Sequence, residues 1–73
     1  MVDYKALWDV MKKRNMTKTE LRLAAGLSTS TFAKLSKNEI VALNVLVRIC
    51  CVLKCQLSEI CYVNFEQGGG NPS

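Results

Sequence analysis

The sequence contains no histidine, no CxxC pair of cysteines and no phosphate-binding loop. Without an imidazole, an acid pair or such a loop, it has no recognisable set of catalytic residues, and we expect that the protein is not an enzyme. The spacing that typically holds a structural zinc ion is also missing, so we expect no metal site and no cofactor.

Long hydrophobic runs are scarce as well. The longest, residues 40–53, is interrupted by Asn44 and Arg48, and it is shorter than the roughly 20 residues of a membrane span. It predicts a buried helix, and we expect no membrane partner. Asp3 and Lys5 make the start of the sequence polar, unlike a secretory signal, so we expect a cytoplasmic protein. Nothing in the sequence indicates a small-molecule ligand.

Four cysteines lie in the C-terminal third of the sequence: Cys50, Cys51, Cys55 and Cys61. Free cysteine packs as a small hydrophobe, so we expect reduced, buried thiols in a cytoplasmic protein. A second interpretation stays open, in which Cys51 and Cys55, one helical turn apart, sense oxidants or bind a soft metal.

A chain of 73 residues suits one small domain and leaves no room for a second core. We expect the domain to cover residues 1–65 and the glycine-rich residues 66–73 to form a flexible tail. Residues 12–37 hold seven basic residues and a single acid, Glu20, within a chain whose net charge is +4. This local field attracts polyanions such as nucleic acid, although a solvated lysine-rich face has the same composition.

Caps and apolar spacing predict five helices and no strand. The first helix is expected to begin at Asp3 as its N-cap and to end near Asn15. Its apolar face, at helical spacing, consists of Tyr4, Leu7, Trp8 and Met11. We expect Trp8, Phe32 and the leucines of the chain to form the core.

Two capped helices follow, with only a short turn between them. Thr17 and Glu20 have the spacing of a capping box at the start of the second helix. Gly26, which takes a left-handed conformation without steric cost, ends that helix. Ser28 is the expected cap of the third helix, which runs to about residue 36.

The C-terminal part of the domain is expected to hold two more helices. A polar link in which Asn38 can take a left-handed turn precedes the fourth helix, which runs from about Ala42 to Lys54. A short fifth helix starts within residues 57–60 with Ser58 as its cap.

A capped helix, a glycine turn and a second capped helix in about twenty residues suit insertion into the major groove of DNA. The segment MTKTELRLAAGLSTSTFAKL, residues 16–35, resembles the helix-turn-helix of lambda-repressor-like proteins of the phage Cro and repressor type, as short stand-alone bacterial regulators. Gly26 matches the turn glycine of that motif, and Leu21, Phe32 and Leu35 match its buried positions. The resemblance covers residues 4–62 and implies an all-α, compact five-helix domain in which helices 2 and 3 form the helix-turn-helix.

The resemblance also implies a DNA interface on the third helix and beside it. The residues that match base-reading positions are Thr29, Ser30, Ala33 and Lys34. The residues that match contacts to the phosphate backbone are Thr17, Lys18, Lys37 and Asn38. Hydroxyl groups and one lysine make up most of the base-reading set, so part of the sequence preference is expected to rest on DNA shape.

These expectations combine into a sequence-specific DNA-binding transcriptional regulator, a repressor that inserts helix 3 into the major groove of double-stranded DNA as a homodimer. Val47, Val52 and Val63 are candidates for the dimer interface. The alternative is a protein-interaction module, such as an antitoxin or anti-repressor, that uses the same fold. Arg22 within helix 2, Glu39 after helix 3 and the sparse base-reading groups favour this alternative.

Overall fold

The computed structural model describes residues 1–65, so the predicted tail at 66–73 lies outside the described residues. The secondary-structure elements in chain order are β1 (Val2–Asp3), α1 (Lys5–Lys13), α2 (Lys18–Ala24), α3 (Thr29–Ser36), α4 (Leu43–Leu53), a 3₁₀ helix (Leu57–Glu59) and β2 (Tyr62–Val63). The expected all-α, compact five-helix domain is therefore confirmed only as a mostly helical one. The predicted fifth α-helix is instead a 3₁₀ helix of three residues, and residues 1–65 contain four α-helices.

The two ends of the described chain meet in a small sheet that the sequence did not predict. Strands β1 and β2 are antiparallel, with Val2 opposite Val63 and Asp3 opposite Tyr62. Beyond the strands, the backbone N–H of Asn64 donates to the carbonyl oxygen of Met1 at 2.6 Å. The expectation of no strand was wrong because two residues are too few to show the alternation that identifies a strand.

Helix α1 begins one residue later than expected, because Tyr4 and not Asp3 is its N-cap. The Asp3 carboxylate still accepts a hydrogen bond from the backbone N–H of Lys5, at 2.8 Å. The helix ends at Lys13, and Asn15 leaves it with a left-handed φ of 54°. Lys12 and Lys13 in the last turn complement the negative end of the helix dipole.

The caps of α2 and α3 are confirmed. The Thr17 hydroxyl oxygen accepts from the N–H of Glu20 at 3.1 Å, and the Glu20 carboxylate accepts from the N–H of Thr17 at 2.7 Å. Gly26 has φ 68°, and the N–H of Leu27 donates back to the carbonyl oxygen of Arg22 at 2.9 Å. Ser28 accepts from the N–H of Thr31 at 3.1 Å, so the N-cap of α3 lies two residues after the glycine and the helix begins at Thr29.

The core lies between the helices and the 3₁₀ helix. Its buried apolar residues are Tyr4, Leu7, Met11, Leu21, Ala25, Leu27, Leu35, Leu46, Ile49, Leu53 and Ile60. Trp8 and Phe32 are only partly buried and pack against this cluster. The expectation that all leucines are core was wrong for Leu23, Leu43 and Leu57, which are 65%, 62% and 40% exposed.

Helix α4 is close to its expected bounds. Ala42 is its N-cap and supplies no side-chain hydrogen bond, and Lys54 ends the helix with φ 52°. The predicted cap at Ser58 was wrong, because the 3₁₀ helix begins after Gln56, whose N–H donates to the Glu59 carboxylate at 2.7 Å. Within residues 1–65, none of the helices is long and apolar enough to cross a membrane.

The four thiols are less buried than expected. Cys50, Cys55 and Cys61 are half-buried, whereas Cys51 is exposed, so the expectation of a buried thiol was wrong at that position. All four cysteines are free, and the Cys61 thiol donates to the carbonyl oxygen of Leu57 at 3.7 Å. Among the described residues no group of three or more potential ligands can hold a metal ion.

Candidate nucleic-acid interface

Helices α2 and α3 are joined by a turn of four residues, 25–28, that leaves both helices firmly anchored. Leu21 of α2 and Leu35 of α3 are fully buried, and Ala25 and Leu27 at the turn are also buried, with 6% and 5% of their surfaces exposed. Gly26 lies at the turn, and apart from its chain neighbours no residue has an atom within 4 Å of the position a Cβ would take. The glycine is therefore required by the left-handed φ and not by crowding.

One side of α3 carries four exposed residues, which we call the recognition face: Thr29, Ser30, Ala33 and Lys34. The opposite side contacts the core through Leu35, with Phe32 half-buried beside it. This separation agrees with the helical spacing, in which positions three and four residues apart share a side. The predicted base-reading residues are thus together, and all of them are open to a partner.

Hydroxyl groups at the start of α3 form a short hydrogen-bonded chain. The Ser28 hydroxyl donates to Thr31 Oγ1 at 3.0 Å, and the Oγ atoms of Ser28 and Ser30 are 3.2 Å apart. A serine hydroxyl has one proton, so when Ser28 donates to Thr31 the proton between the two serines comes from Ser30. Ser30 then presents acceptor lone pairs outward, which suits a donor group on a base edge.

The start of α2 brings Thr17 and Lys18 to the surface beside α1. The capping box uses the N–H of Thr17 and one lone pair of its hydroxyl oxygen, which leaves the hydroxyl proton for another partner. The Lys18 ammonium lies 4.6 Å from the centre of the Trp8 ring, a cation–π geometry. Both predicted phosphate-contacting side chains are exposed.

Trp8 is the residue near the interface that sequence reasoning missed. Its ring meets the ring of Phe32 edge to face, with centroids 5.8 Å apart and an interplanar angle of 63°. Because Lys18 lies over the same ring, Trp8 of α1 contacts the first residue of α2 and a residue of α3 at once. The apolar spacing of α1 identified Trp8 as packed, but no local signal connects it to residues ten and 24 positions away.

The loop after α3 is tied to the beginning of α1. Lys37 is exposed and is the C-cap of α3, and Asn38 has the expected left-handed conformation with φ 58°. The Asn38 side-chain oxygen accepts from the N–H of Tyr4 at 3.0 Å, and the Tyr4 hydroxyl donates to the carbonyl oxygen of Glu39 at 2.8 Å. Asn38 thus has a structural role in addition to the phosphate contact that is expected of it.

Basic side chains surround these elements. Six of the seven basic residues in 12–37 are exposed, and Arg22 is half-buried, as a long side chain lying along a helix contact should be. Only four residues, 14–17, separate the last turn of α1 from Lys18, the first residue of α2, so the cations of that turn and Lys18 are close in the chain. The structure therefore retains an accessible positive field near the helix-turn-helix.

Three groups with shifted pKa values lie on other elements. Burial raises the pKa of the Tyr4 hydroxyl; the nearby Cys61 thiol adds to this rise and the backbone at Val41 opposes it. Burial also raises the pKa of the Cys50 and Cys61 thiols, and at Cys50 the neighbouring Cys55 thiol adds to the effect. Raised thiol pKa values mean little thiolate at neutral pH, hence low nucleophilic reactivity.

Comparisons with known proteins agree with this geometry. Residues 6–66 match the family model of the Cro/C1-type HTH DNA-binding domain. A crystal structure of the transcriptional regulator VanUg, form II, is similar, with a TM-score of 0.82 and 51% sequence identity over 84% of this chain and 81% of that chain. A comparison with curated proteins gives no match.

Proposed function

The chain belongs to the Cro/C1-type HTH DNA-binding domain family, and from that premise we propose that it is a sequence-specific transcriptional repressor that inserts α3 into the major groove. The recognition face carries this proposal: four small or flexible exposed side chains stand on a helix whose other side is anchored by the buried Leu35. Its similarity to a protein described as a transcriptional regulator supports the regulatory part.

Each residue of the recognition face has a chemistry that suits base edges. Lys34 can donate to the O6 and N7 acceptors of guanine, and the Ala33 methyl suits the methyl group of thymine. Ser30, with its proton engaged by Ser28, accepts from the amino group of adenine or cytosine. Thr29, the first residue of α3, completes the set.

Phosphate contacts on both sides of the recognition face fix its register in this proposal. At one side Thr17 has a hydroxyl proton to donate, and Lys18 can reach phosphate by leaving or tilting off the Trp8 ring. At the other side Lys37 supplies a charge, and Asn38 has its amide nitrogen as a donor while its oxygen holds Tyr4.

We further propose that the protein binds as a homodimer, with the two α3 helices in successive major grooves about 34 Å apart. A single domain of 73 residues has few base-reading groups, and two copies on a pseudo-palindromic site double them.

Selection of bound sequences from random duplexes tests the proposal, because it identifies the operator and its half-site symmetry together. On the selected operator, Lys34→Ala and Ser30→Ala should each weaken binding about tenfold or more, as expected for loss of a base contact. Matched controls are Lys5→Ala and Ser36→Ala, which remove exposed side chains of the same types away from the recognition face. Equal affinity of all four variants would refute the insertion of α3.

A protein-interaction module is the second candidate, favoured by the exposed apolar side chains of Leu43, Val47 and Leu57. A salt titration separates the two functions. Binding to DNA through several lysines must weaken steeply as salt concentration rises, whereas a mainly apolar protein contact does not. Absence of duplex binding at low salt would favour this second function.

A further inference from the structure

Helix α4 has a second apolar side that the core uses only in part, through the half-buried Cys50. Its buried side carries Leu46, Ile49 and Leu53. Along another side run Leu43, Val47 and Cys50, and the C-cap Lys54 follows at the end of this line; we call these four residues the α4 seam. Leu43 is 62% exposed and Val47 is 50% exposed, although both are large and apolar. Spacings of four, three and four residues are those of the contact line between two packed helices.

An open groove of about 420 Å³ adjoins the C-terminal half of the α4 seam. It lies between the end of α4 and the 3₁₀ helix, and its lining includes Cys51, Lys54, Cys55 and Leu57. At the other end of the seam, Leu43 is an exposed side chain on the first residue of α4. One end of the seam is therefore concave and the other carries a projecting apolar side chain.

We propose that the α4 seam is the homodimer interface and that its occupant is the same helix of a second copy, packed antiparallel. A two-fold axis between Val47 and Cys50 then brings Val47 of each copy against the partner's Cys50. Leu43 of each copy fills the groove of the other, so one surface is complementary to itself, as a two-fold contact requires. This inference rests on the proposed function only in one respect, namely that binding as a homodimer requires a second copy.

Charge selects the antiparallel arrangement. Lys54 is the single charged residue of the α4 seam, at its C-terminal end. In a parallel pair the two Lys54 side chains would meet, and like charges in contact are unfavourable. In the antiparallel pair they lie at opposite ends, about 16 Å apart for eleven residues of helix. Each then approaches the end of the partner's α4 that follows Glu39, the acidic residue nearest to that end in sequence.

The size of the seam predicts a weak dimer. A few half-exposed apolar side chains are less than the roughly 800 Å² that each partner buries in a standard interface. We therefore expect reversible association in free solution and strong mutual support on DNA, where two half-sites hold both copies at a high effective concentration.

Sedimentation equilibrium without DNA, under reducing conditions and at protein concentrations up to the order of 1 mM, tests the interface. The wild-type protein should shift from monomer to dimer, and Val47→Asp should remain a monomer because it places two carboxylates beside the axis. The controls are Val63→Asp on β2 and Leu23→Asp on α2, which alter exposed apolar residues away from the seam and should dimerise like wild type. Helical circular dichroism verifies that each variant folds.

The interface is refuted if the wild type stays monomeric, if Val47→Asp dimerises as wild type does, or if Val63→Asp abolishes the dimer instead. Because no DNA is present, this result is independent of the proposed function. A dimer disrupted by Val47→Asp in a protein that binds no duplex would keep the interface and refute the regulator. Operator binding by a strictly monomeric protein would refute the interface and keep the regulator.

Discussion

The ammonium group of Lys18 lies 4.6 Å from the centre of the Trp8 ring, and the edge-to-face contact of that ring with Phe32 links α1 to α3. The first residue of α2 and a half-buried residue of α3 are thus held against one side chain. In a domain of this size, such a contact constrains how α2 and α3 are oriented relative to α1.

Replacing Trp8 should destabilise the domain. Trp8→Leu removes the aromatic pair with Phe32 and the cation–π contact with Lys18, and we expect a loss of about 1–3 kcal/mol in the free energy of unfolding. Trp8→Phe, which keeps an aromatic ring, should lose less. Urea denaturation followed by circular dichroism measures both. Equal stability of the leucine variant and the wild type would show that the ring contacts contribute nothing.

The capping box at the start of α2 should be measurable by itself. Thr17→Ala removes the acceptor for the N–H of Glu20, and it should cost about 1 kcal/mol of folding stability. Thr19→Ala is the matched control, because this exposed threonine of α2 makes no capping contact and should change stability by only a few tenths of that value. A cost that is the same at both positions would contradict the assigned cap.

The salt dependence of operator binding should report the proposed phosphate contacts. Lys18→Ala and Lys37→Ala should each reduce the slope of log K against log salt by about 1, with weaker binding to every duplex sequence. Lys5→Ala, another exposed lysine, should leave the slope unchanged. If the Lys18→Ala variant kept the wild-type slope, the Lys18 ammonium of the wild-type protein would make no phosphate contact and would remain on the Trp8 ring in the complex.

Stability should fall in alkaline solution. Burial raises the pKa of the folded-state Cys50 and Cys61 thiols above the ordinary value of 9.0 and that of Tyr4 above 10.0. At a pH below these ordinary pKa values, the folded and the unfolded chain both keep these protons. The three groups therefore do not change the free energy of unfolding in that range. As the pH rises past them the unfolded chain ionises first, and the free energy of unfolding decreases until the folded-state pKa values are passed.

Urea denaturation under reducing conditions from about pH 7 to about pH 10.5 measures this decrease. Cys61→Ala is the informative variant, because removing a thiol with a raised pKa should make the decline with pH shallower whatever it does to stability at neutral pH. A steeper alkaline decline in that variant would contradict the raised pKa of the thiol.

The part of the fold that could be predicted from sequence is the part held by short-range hydrogen bonds. The Thr17 capping box, the Ser28 cap and the left-handed Gly26 and Asn38 each depend on residues within four positions, so residue type and spacing identify them. The lambda-repressor-like resemblance depends on the same segment. The recognition face followed because helical spacing decides which residues share a side.

Several features that sequence reasoning missed join distant parts of the chain. The bond from Tyr4 to Asn38 spans 34 residues, and the pairing of Val2 with Val63 joins the two ends. Neither leaves a periodic trace in the sequence. Leu43 was expected in the core because hydrophobicity alone does not tell which apolar side of α4 faces inward.

The attachment of the loop after α3 to Tyr4 has a consequence for partial unfolding. Tyr4 directly follows β1, and β1 pairs with β2 through only two residues on each strand. Terminal segments with so few bonds open at low cost, before any helix core does. When this pair frays, the two hydrogen bonds that Tyr4 donates to the Asn38 side chain and to the Glu39 carbonyl oxygen weaken with it. Affinity for DNA should therefore decline at lower denaturant concentration than the helical circular dichroism signal does.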